Sequence, residues 1–234
     1  MDRSGAERAA EEGDHLRLGI LGGTFDPIHF GHLRLAEEVG EELGLERVYL
    51  VPAASPPHKE RKPISAFQHR MTMTRMAVKE SPLLEALDLE AHRQGRSYSI
   101  ETLKEFHRLF KGDVELFFIL GMDAFLEIGT WKDYKALFDQ AHFLVIRRPG
   151  IQSGDIGAFL ASLGVGFKKE RDGNAFMVPS GNKLLFKEAT LMDISSTDIR
   201  NRVGDGKTIR FLVPEAVREY IMEKKLYMIH GNYR

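Results

Sequence analysis

Two histidines three positions apart, His29 and His32, stand in the string Gly22-Gly23-Thr24-Phe25-Asp26-Pro27-Ile28-His29-Phe30-Gly31-His32. The string follows a short apolar run, Leu16 to Leu21, and leads into a helical pattern beginning near Leu33. A strand, a glycine-rich turn and a helix in that order make a phosphate site. The turn lets backbone N–H groups approach closely, and the helix N-terminus adds a positive dipole end. Two imidazoles at that mouth can donate hydrogen bonds to one anion. These residue types point to nucleotide chemistry. Taken alone, a glycine pair marks many turns, and the histidines could simply cap or pack. A zinc site has little support, because no third ligand stands nearby at metal-like spacing.

A second cluster lies far downstream, Ile194-Ser195-Ser196-Thr197-Asp198-Ile199-Arg200. It reads as a helix start: Ser195 or Ser196 can N-cap it, and Asp198 sits where a capping-box acid would. Free N–H groups, three hydroxyls and a guanidinium one turn later suit a polyphosphate. The plainer reading is a capped helix with Arg200 on its exposed face. Between the clusters, Val51-Pro52 to Pro56-Pro57-His58-Lys59 follows a second strand. In a doubly wound sheet that is where ligand-facing loops emerge, although a proline-stiffened surface loop would look the same. Ser97-Tyr98-Ser99-Ile100-Glu101-Thr102-Leu103 opens a helix whose first amides could hold a carboxylate. Trp131, the only tryptophan, reads by itself as a large core or rim residue. Arg147-Arg148-Pro149-Gly150 reads by itself as a solvated strand end.

The elements that must position these groups alternate. Strands are expected at Leu16–Leu21, Arg47–Val51, Leu84–Leu89, Val114–Leu120 and His142–Arg147. Helices are expected at His32–Leu43, Phe67–Glu80, Ser99–Phe110, a short piece around Asp123–Ile128, Ser196–Val203 and Pro214–Lys224. Phe67, Met71, Thr74 and Val78 share one helical face, as do Ile100, Leu103, Phe106 and Phe110. Such alternation predicts a parallel sheet with right-handed crossovers. The stretch from Pro149 to Thr190 is less regular, with one helix at Asp155–Leu163 and two short strand candidates, Ala175–Val178 and Leu184–Lys187. Gly164 and Gly166 there form no dinucleotide fingerprint.

The chain has 234 residues, enough for one domain with a full core. Its 43% hydrophobic and 29% charged residues are those of an ordinary soluble protein. A formal net charge of −1 argues against nucleic-acid binding, so any anion site must be local. There are no cysteines, which excludes disulfides, thiolate nucleophiles and cysteine-based zinc sites. Residues 1–15 carry five acids against two arginines with almost nothing to bury, and are expected to form a disordered acidic tail ahead of a single domain at 16–228. No signal peptide or membrane span is expected, so a cytoplasmic location is the reading, with no membrane partner.

The full glycine–histidine string resembles the nucleotidyltransferases marked by His-x-Gly-His after the first strand. More closely, it is similar to the bacterial nicotinate mononucleotide adenylyltransferase family, which also carries an Ile-Ser-Ser-Thr-x-Ile-Arg motif downstream. The resemblance runs from about Leu16 to Tyr227. It implies an α/β fold, a Rossmann-like doubly wound parallel sheet with helices on both faces and a small helical part at about 195–228. It implies that Gly22, Gly23, Thr24, Phe25, His29, His32, Gly121, Asp123, Ser195, Ser196, Thr197 and Arg200 bind ATP. His58 and Lys59 would reach the mononucleotide phosphate, Ser99 the ring carboxylate, and Trp131 would stack on the pyridine ring. The Trp-Lys-Asp-Tyr string departs from the commoner family forms, which bears on Tyr134 as a substrate contact. Ser99 stands where the family usually has Thr.

The implied reaction joins ATP and nicotinate mononucleotide to give nicotinate adenine dinucleotide and pyrophosphate, with His29, His32, Lys59 and Arg200 as the catalytic set. Mg²⁺ would be held by the ATP phosphates, with no metal ligands from the chain. The attacking phosphate monoester has a second pKa of about 6, so no general base is required. Competing acceptors are nicotinamide mononucleotide and phosphopantetheine; Thr often stands in the phosphopantetheine enzymes where this chain has His29. A nucleotide-binding regulator without turnover is the reading from another class. A homo-oligomer is left open.

Overall fold

A computed structural model of the chain describes residues 15–56, 64–93, 95–111, 114–147, 156–170, 175–190 and 192–228. His58 and Lys59, Arg148 to Gly150 and all but the last residue of the acidic segment lie outside them.

Apolar runs buried on both faces dictate the centre of the sheet. Strands β1 (Leu16–Gly23), β2 (Arg47–Pro52), β3 (Leu84–Ala86), β4 (Val114–Gly121) and β5 (His142–Arg147) are all parallel, in the order β3-β2-β1-β4-β5. Side chains alternate between faces, so one run feeds two cores. In β4, Leu116, Phe118 and Leu120 enter one cluster while Phe117 and Ile119 enter the other. In β5, Phe143 and Val145 oppose Leu144 and Ile146 in the same way. Near-continuous apolar strands of this kind are those of a parallel sheet covered on both sides.

The helices supply the two covers. Ile100, Leu103 and Phe106 of α3 (Ser99–Leu109) and Leu137 and Phe138 of α5 (Tyr134–Gln140) fill the first cluster. The second takes Leu33, Ala36 and Val39 of α1 (Phe30–Leu43) and Met73 and Val78 of α2 (Phe67–Val78). It also takes Ile199 and Val203 of α7 (Ser196–Gly204) and Val217 and Ile221 of α8 (Glu215–Glu223). The short α4 (Met122–Leu126) and α6 (Ile156–Ser162) complete the helices. Helix α1 ends at Gly44, whose φ of 58° is the left-handed conformation a C-cap requires. No helix among the described residues is long and apolar enough to cross a membrane.

The sheet differs from a purely parallel one at its far edge. β8 (Lys183–Glu188) pairs parallel with β5, but β7 (Ala175–Met177) and β6 (Lys168–Lys169) run antiparallel beyond it. Val178 to Asn182 close a tight turn, with the Val178 N–H donating to the Asn182 carbonyl at 3.0 Å. A connection that short can only reverse the chain. The expected strand Leu84–Leu89 stops at Ala86, and Leu89–His92 instead form a 3₁₀ turn.

Because β1 leads to β2 on one side while β4 lies on the other, the strand order reverses between β1 and β4. In open α/β sheets the crevice outside the carboxyl ends at such a switch point receives ligands. Gly22, Gly23 and Gly121 all stand there.

Candidate active site

A cavity of about 820 Å³ opens at that switch point. Its wall joins residues from both ends of the sequence: Gly22 and Gly23 after β1, His29, Gly31 and His32 at the start of α1, Gly121 after β4, and Ser195, Ser196, Thr197 and Arg200 on α7. Ser97, Ser99 and Trp131 line it as well. A Cβ added at Gly22 or Gly121 would meet no protein atom within 4 Å, so both backbones are open to an approaching group.

The glycine turn is anchored from beneath. Phe25, with φ 47°, turns its ring into the core and meets the His32 ring edge-on at 5.0 Å. His29 takes the N-cap position of α1. Its backbone N–H donates to His32 Nδ1 at 3.3 Å, which leaves a neutral His32 with its proton on Nε2. The two rings stack with centroids 3.6 Å apart. The glycine at position 31 favours this, since a Cβ there would lie 3.1 Å from His29 Nδ1 and press on the stacked ring. His29 is 6% exposed, and burial lowers its pKa from 6.5 to about 4. At neutral pH it is an uncharged ring, able to pack on its neighbour and donate one hydrogen bond.

The downstream motif is bonded directly to this turn. Ser195 is the N-cap of α7, its Oγ accepting the Asp198 N–H at 3.0 Å. Ser196 Oγ donates to the Pro27 carbonyl at 2.8 Å, and Arg200 Nη1 to the Asp26 carbonyl at 2.6 Å. Arg200 Nη2 also donates to Thr197 Oγ1 at 3.1 Å. The guanidinium is therefore fixed in the wall rather than solvated on an exposed helix face.

Four other expected residues, Thr24, Phe25, Asp123 and Tyr134, do not line the cavity. The Thr24 carbonyl faces inward to Arg70, and Phe25 is buried behind the turn. Asp123 is exposed in the first turn of α4, outside the residues that line the cavity. Tyr134 donates its hydroxyl to the Leu163 carbonyl at 2.9 Å and does not line the cavity either. Trp131 meets Phe118 edge-on at 6.3 Å. Ser97 and Ser55 bond each other at 3.0 Å in both directions, Ser97 N–H to the Ser55 carbonyl and Ser55 N–H to Ser97 Oγ, tying the loop after β2 to the approach to α3. No group of three or more His, Asp or Glu among the described residues could hold a metal ion.

A family model described as cytidylyltransferase-like matches residues 20–202. A probable nicotinate-nucleotide adenylyltransferase of Geotalea daltonii is 43% identical over 213 residues, covering 91% of this chain and 98% of the relative. One from Desulfatibacillum aliphaticivorans is 46% identical over 224 residues, covering 91% and 100%. This chain belongs to the nicotinate-nucleotide adenylyltransferase family. Among solved structures, the Plasmodium falciparum nicotinic acid mononucleotide adenylyltransferase complexed with NaAD superposes with a TM-score of 0.69 at 20% identity, covering 91% of this chain and 98% of that one. That likeness shows the fold.

Several further residues shape this cavity, and of them only Asp26 stands in a motif. Arg70, on α2, is 2% exposed. Its guanidinium donates to the carbonyls of Thr24 at 2.7 Å, Ser65 at 3.0 Å and Ala54 at 3.4 Å. It thus clamps the glycine turn to the loop after β2 and to the lead-in of α2. Asp26, 3% exposed, accepts the Ser65 N–H at 3.2 Å and the Tyr227 hydroxyl at 2.7 Å. Burial and the Asp26 carboxylate push the Tyr227 phenol far above its ordinary range, so it remains a donor. Glu90, 8% exposed, lines the cavity. An arginine amid a helix, a lone acid and a C-terminal tyrosine all look solvated in sequence. Their partners are backbone carbonyls or residues far away, which no local pattern encodes.

Proposed function

We propose that this chain transfers the adenylyl group of ATP to nicotinate mononucleotide, forming nicotinate adenine dinucleotide and pyrophosphate, a late step of NAD synthesis. The observation that carries the reading is the direct bonding of Ser196 and Arg200 to Pro27 and Asp26. It joins the glycine turn and the α7 start into one surface, which supports their reading as a single anion site, and Ser99 and Trp131 share the same cavity.

The attacking phosphate is already an anion, so positioning and charge neutralisation carry the catalysis. In our assignment the N–H groups of the Gly22–Gly23 turn and the α1 start face the ATP phosphates. His32, with Nε2 protonated, and the uncharged His29 donate near the reacting phosphorus. Arg200 and the Ser195–Thr197 turn hold the outer phosphates, where charge accumulates as pyrophosphate leaves. Lys59 would orient the attacking phosphate and His58 would bind it, roles that rest on their motif alone. Mg²⁺ would be held by the ATP phosphates and would neutralise part of the leaving group's charge. The first amides of α3 at Ser99 would read the ring carboxylate.

The test is pyrophosphate release by the purified chain from MgATP with nicotinate mononucleotide, run beside nicotinamide mononucleotide. Turnover with a higher kcat/KM for the acid supports the proposal. ATP binding without release would leave only a nucleotide-binding protein, and a preference for the amide would refute the acceptor.

A further inference from the structure

Two carboxylates line the cavity, Asp193 just before the α7 motif and Glu90 on the Ser99 side, and neither has a place in that mechanism. Glu90 belongs to the 3₁₀ turn Leu89–His92, between β3 and α3, and lines the cavity with Ser97 and Ser99. A bare negative charge here would repel both the phosphate and the ring carboxylate of an acidic mononucleotide.

Its charge is matched from behind. Arg93 Nη2 lies 3.6 Å from Glu90 Oε1 and donates to Thr102 Oγ1 at 2.7 Å. Thr102 Oγ1 in turn donates to Glu90 Oε1 at 2.6 Å, and the Ala54 N–H reaches Oε2 at 3.4 Å. Arg93 Nη1 is buried and has no hydrogen-bond partner among the described residues. Burying a donor unmatched is unfavourable, and the charge of Glu90 and the bond to Thr102 are what hold the guanidinium there. Thr102 stands on α3, one turn after the Ser99 amide, so the cluster sits against the start of that helix.

We infer that Arg93, by neutralising Glu90, is a specificity-determining residue that lets the cavity accept an acidic ring in preference to its amide. The inference rests on the proposed acceptor chemistry and names what sets its selectivity. The acid and amide mononucleotides share the phosphate and differ by one negative charge on the ring. Any uncompensated charge in a partly dry wall acts on that difference, several-fold more strongly than it would in water. Thr102 and the Ala54 amide orient Glu90 without changing the charge balance.

The experiment measures kcat/KM for both mononucleotides in the wild type, Arg93→Met, Glu90→Gln and the double variant. Arg93→Met is expected to lower the acid-over-amide ratio by ~10-fold. Glu90→Gln is expected to raise the ratio, and the double variant, again neutral, to return it to within about 3-fold of the wild type. A residue that only supports the fold would slow both substrates equally, and the double variant would not recover. An unchanged ratio in Arg93→Met overturns the inference. Should that variant fail to fold, Glu90→Gln decides: a raised ratio supports the assignment and an unchanged one overturns it. A wild type that adenylates neither mononucleotide overturns the proposed function itself, and this inference with it.

Discussion

Ser196 Oγ donates a 2.8 Å hydrogen bond to the carbonyl of Pro27, across 169 positions of sequence. With Arg200 on the neighbouring Asp26 carbonyl, it fixes the distance between the two halves of the proposed phosphate surface. Arg200→Lys keeps the charge but loses the planar fork that reaches both Asp26 and Thr197. The expected result is a fall of ~10²-fold in kcat/KM for ATP, as for loss of a preorganised donor. Ser196→Ala, which removes one neutral bond worth about 1 kcal/mol, should cost less than tenfold. Steady-state kinetics with varied ATP check both.

His32→Ala should retain the fold and lower kcat by ~10²-fold or more, because the ring that presents Nε2–H is removed while the backbone turn persists. Circular dichroism and turnover on the same preparation check this; near wild-type turnover would remove His32 from the chemistry.

His29 gives a pH prediction of defined sign. Its folded pKa of about 4 lies below its ordinary 6.5. Above pH 6.5 both folded and unfolded chains hold it neutral, and its full contribution to stability is present. As pH falls from 6.5 through 4 the unfolded chain binds the proton first, and up to about 3 kcal/mol is lost. Tm measured over this range should fall less steeply in His29→Gln than in the wild type.

Arg70→Met should be the most destabilising of these changes. It leaves the inward-facing carbonyls of Thr24, Ser65 and Ala54 without their shared donor, at a cost of about 3–5 kcal/mol for breaking a buried charged network. Urea unfolding gives the stability. The surviving folded fraction should show weakened ATP binding, because the glycine turn loses its anchor.

Tyr227→Phe removes the hydroxyl that bonds Asp26 Oδ1 and leaves a buried carboxylate oxygen unsatisfied. The expected loss is about 1–3 kcal/mol in urea unfolding at neutral pH, with a modest rise in the KM for ATP.

Sequence patterns were most informative where physics is local. The runs that became β1, β2, β4 and β5 were legible because strands buried on both faces must be apolar throughout. The start of α7 was legible because hydroxyl caps have a fixed spacing to the amides they bind, and Ser195 proved to be the cap. Helix α5 was not anticipated: seven residues bury only Leu137 and Phe138, too few to show a period. Leu87 and Leu89 continue the apolar pattern of β3, yet the chain turns there to bring Glu90 inward. The glycine–histidine turn and the α7 motif were paired by resemblance. The bonds that join them end on the carbonyls of Asp26 and Pro27, and a carbonyl is common to every residue. Arg70 carries no local signal for the same reason, since a helical arginine ordinarily reads as solvated.

Both margins of the sheet end abruptly. β3 offers three residues and β6 only two, the exposed lysines Lys168 and Lys169. A free strand edge is a template on which another chain can add, and brevity and lysine charge are what frustrate that addition. Short, lysine-bearing margins of this kind disfavour the growth of so apolar a sheet beyond its own molecule.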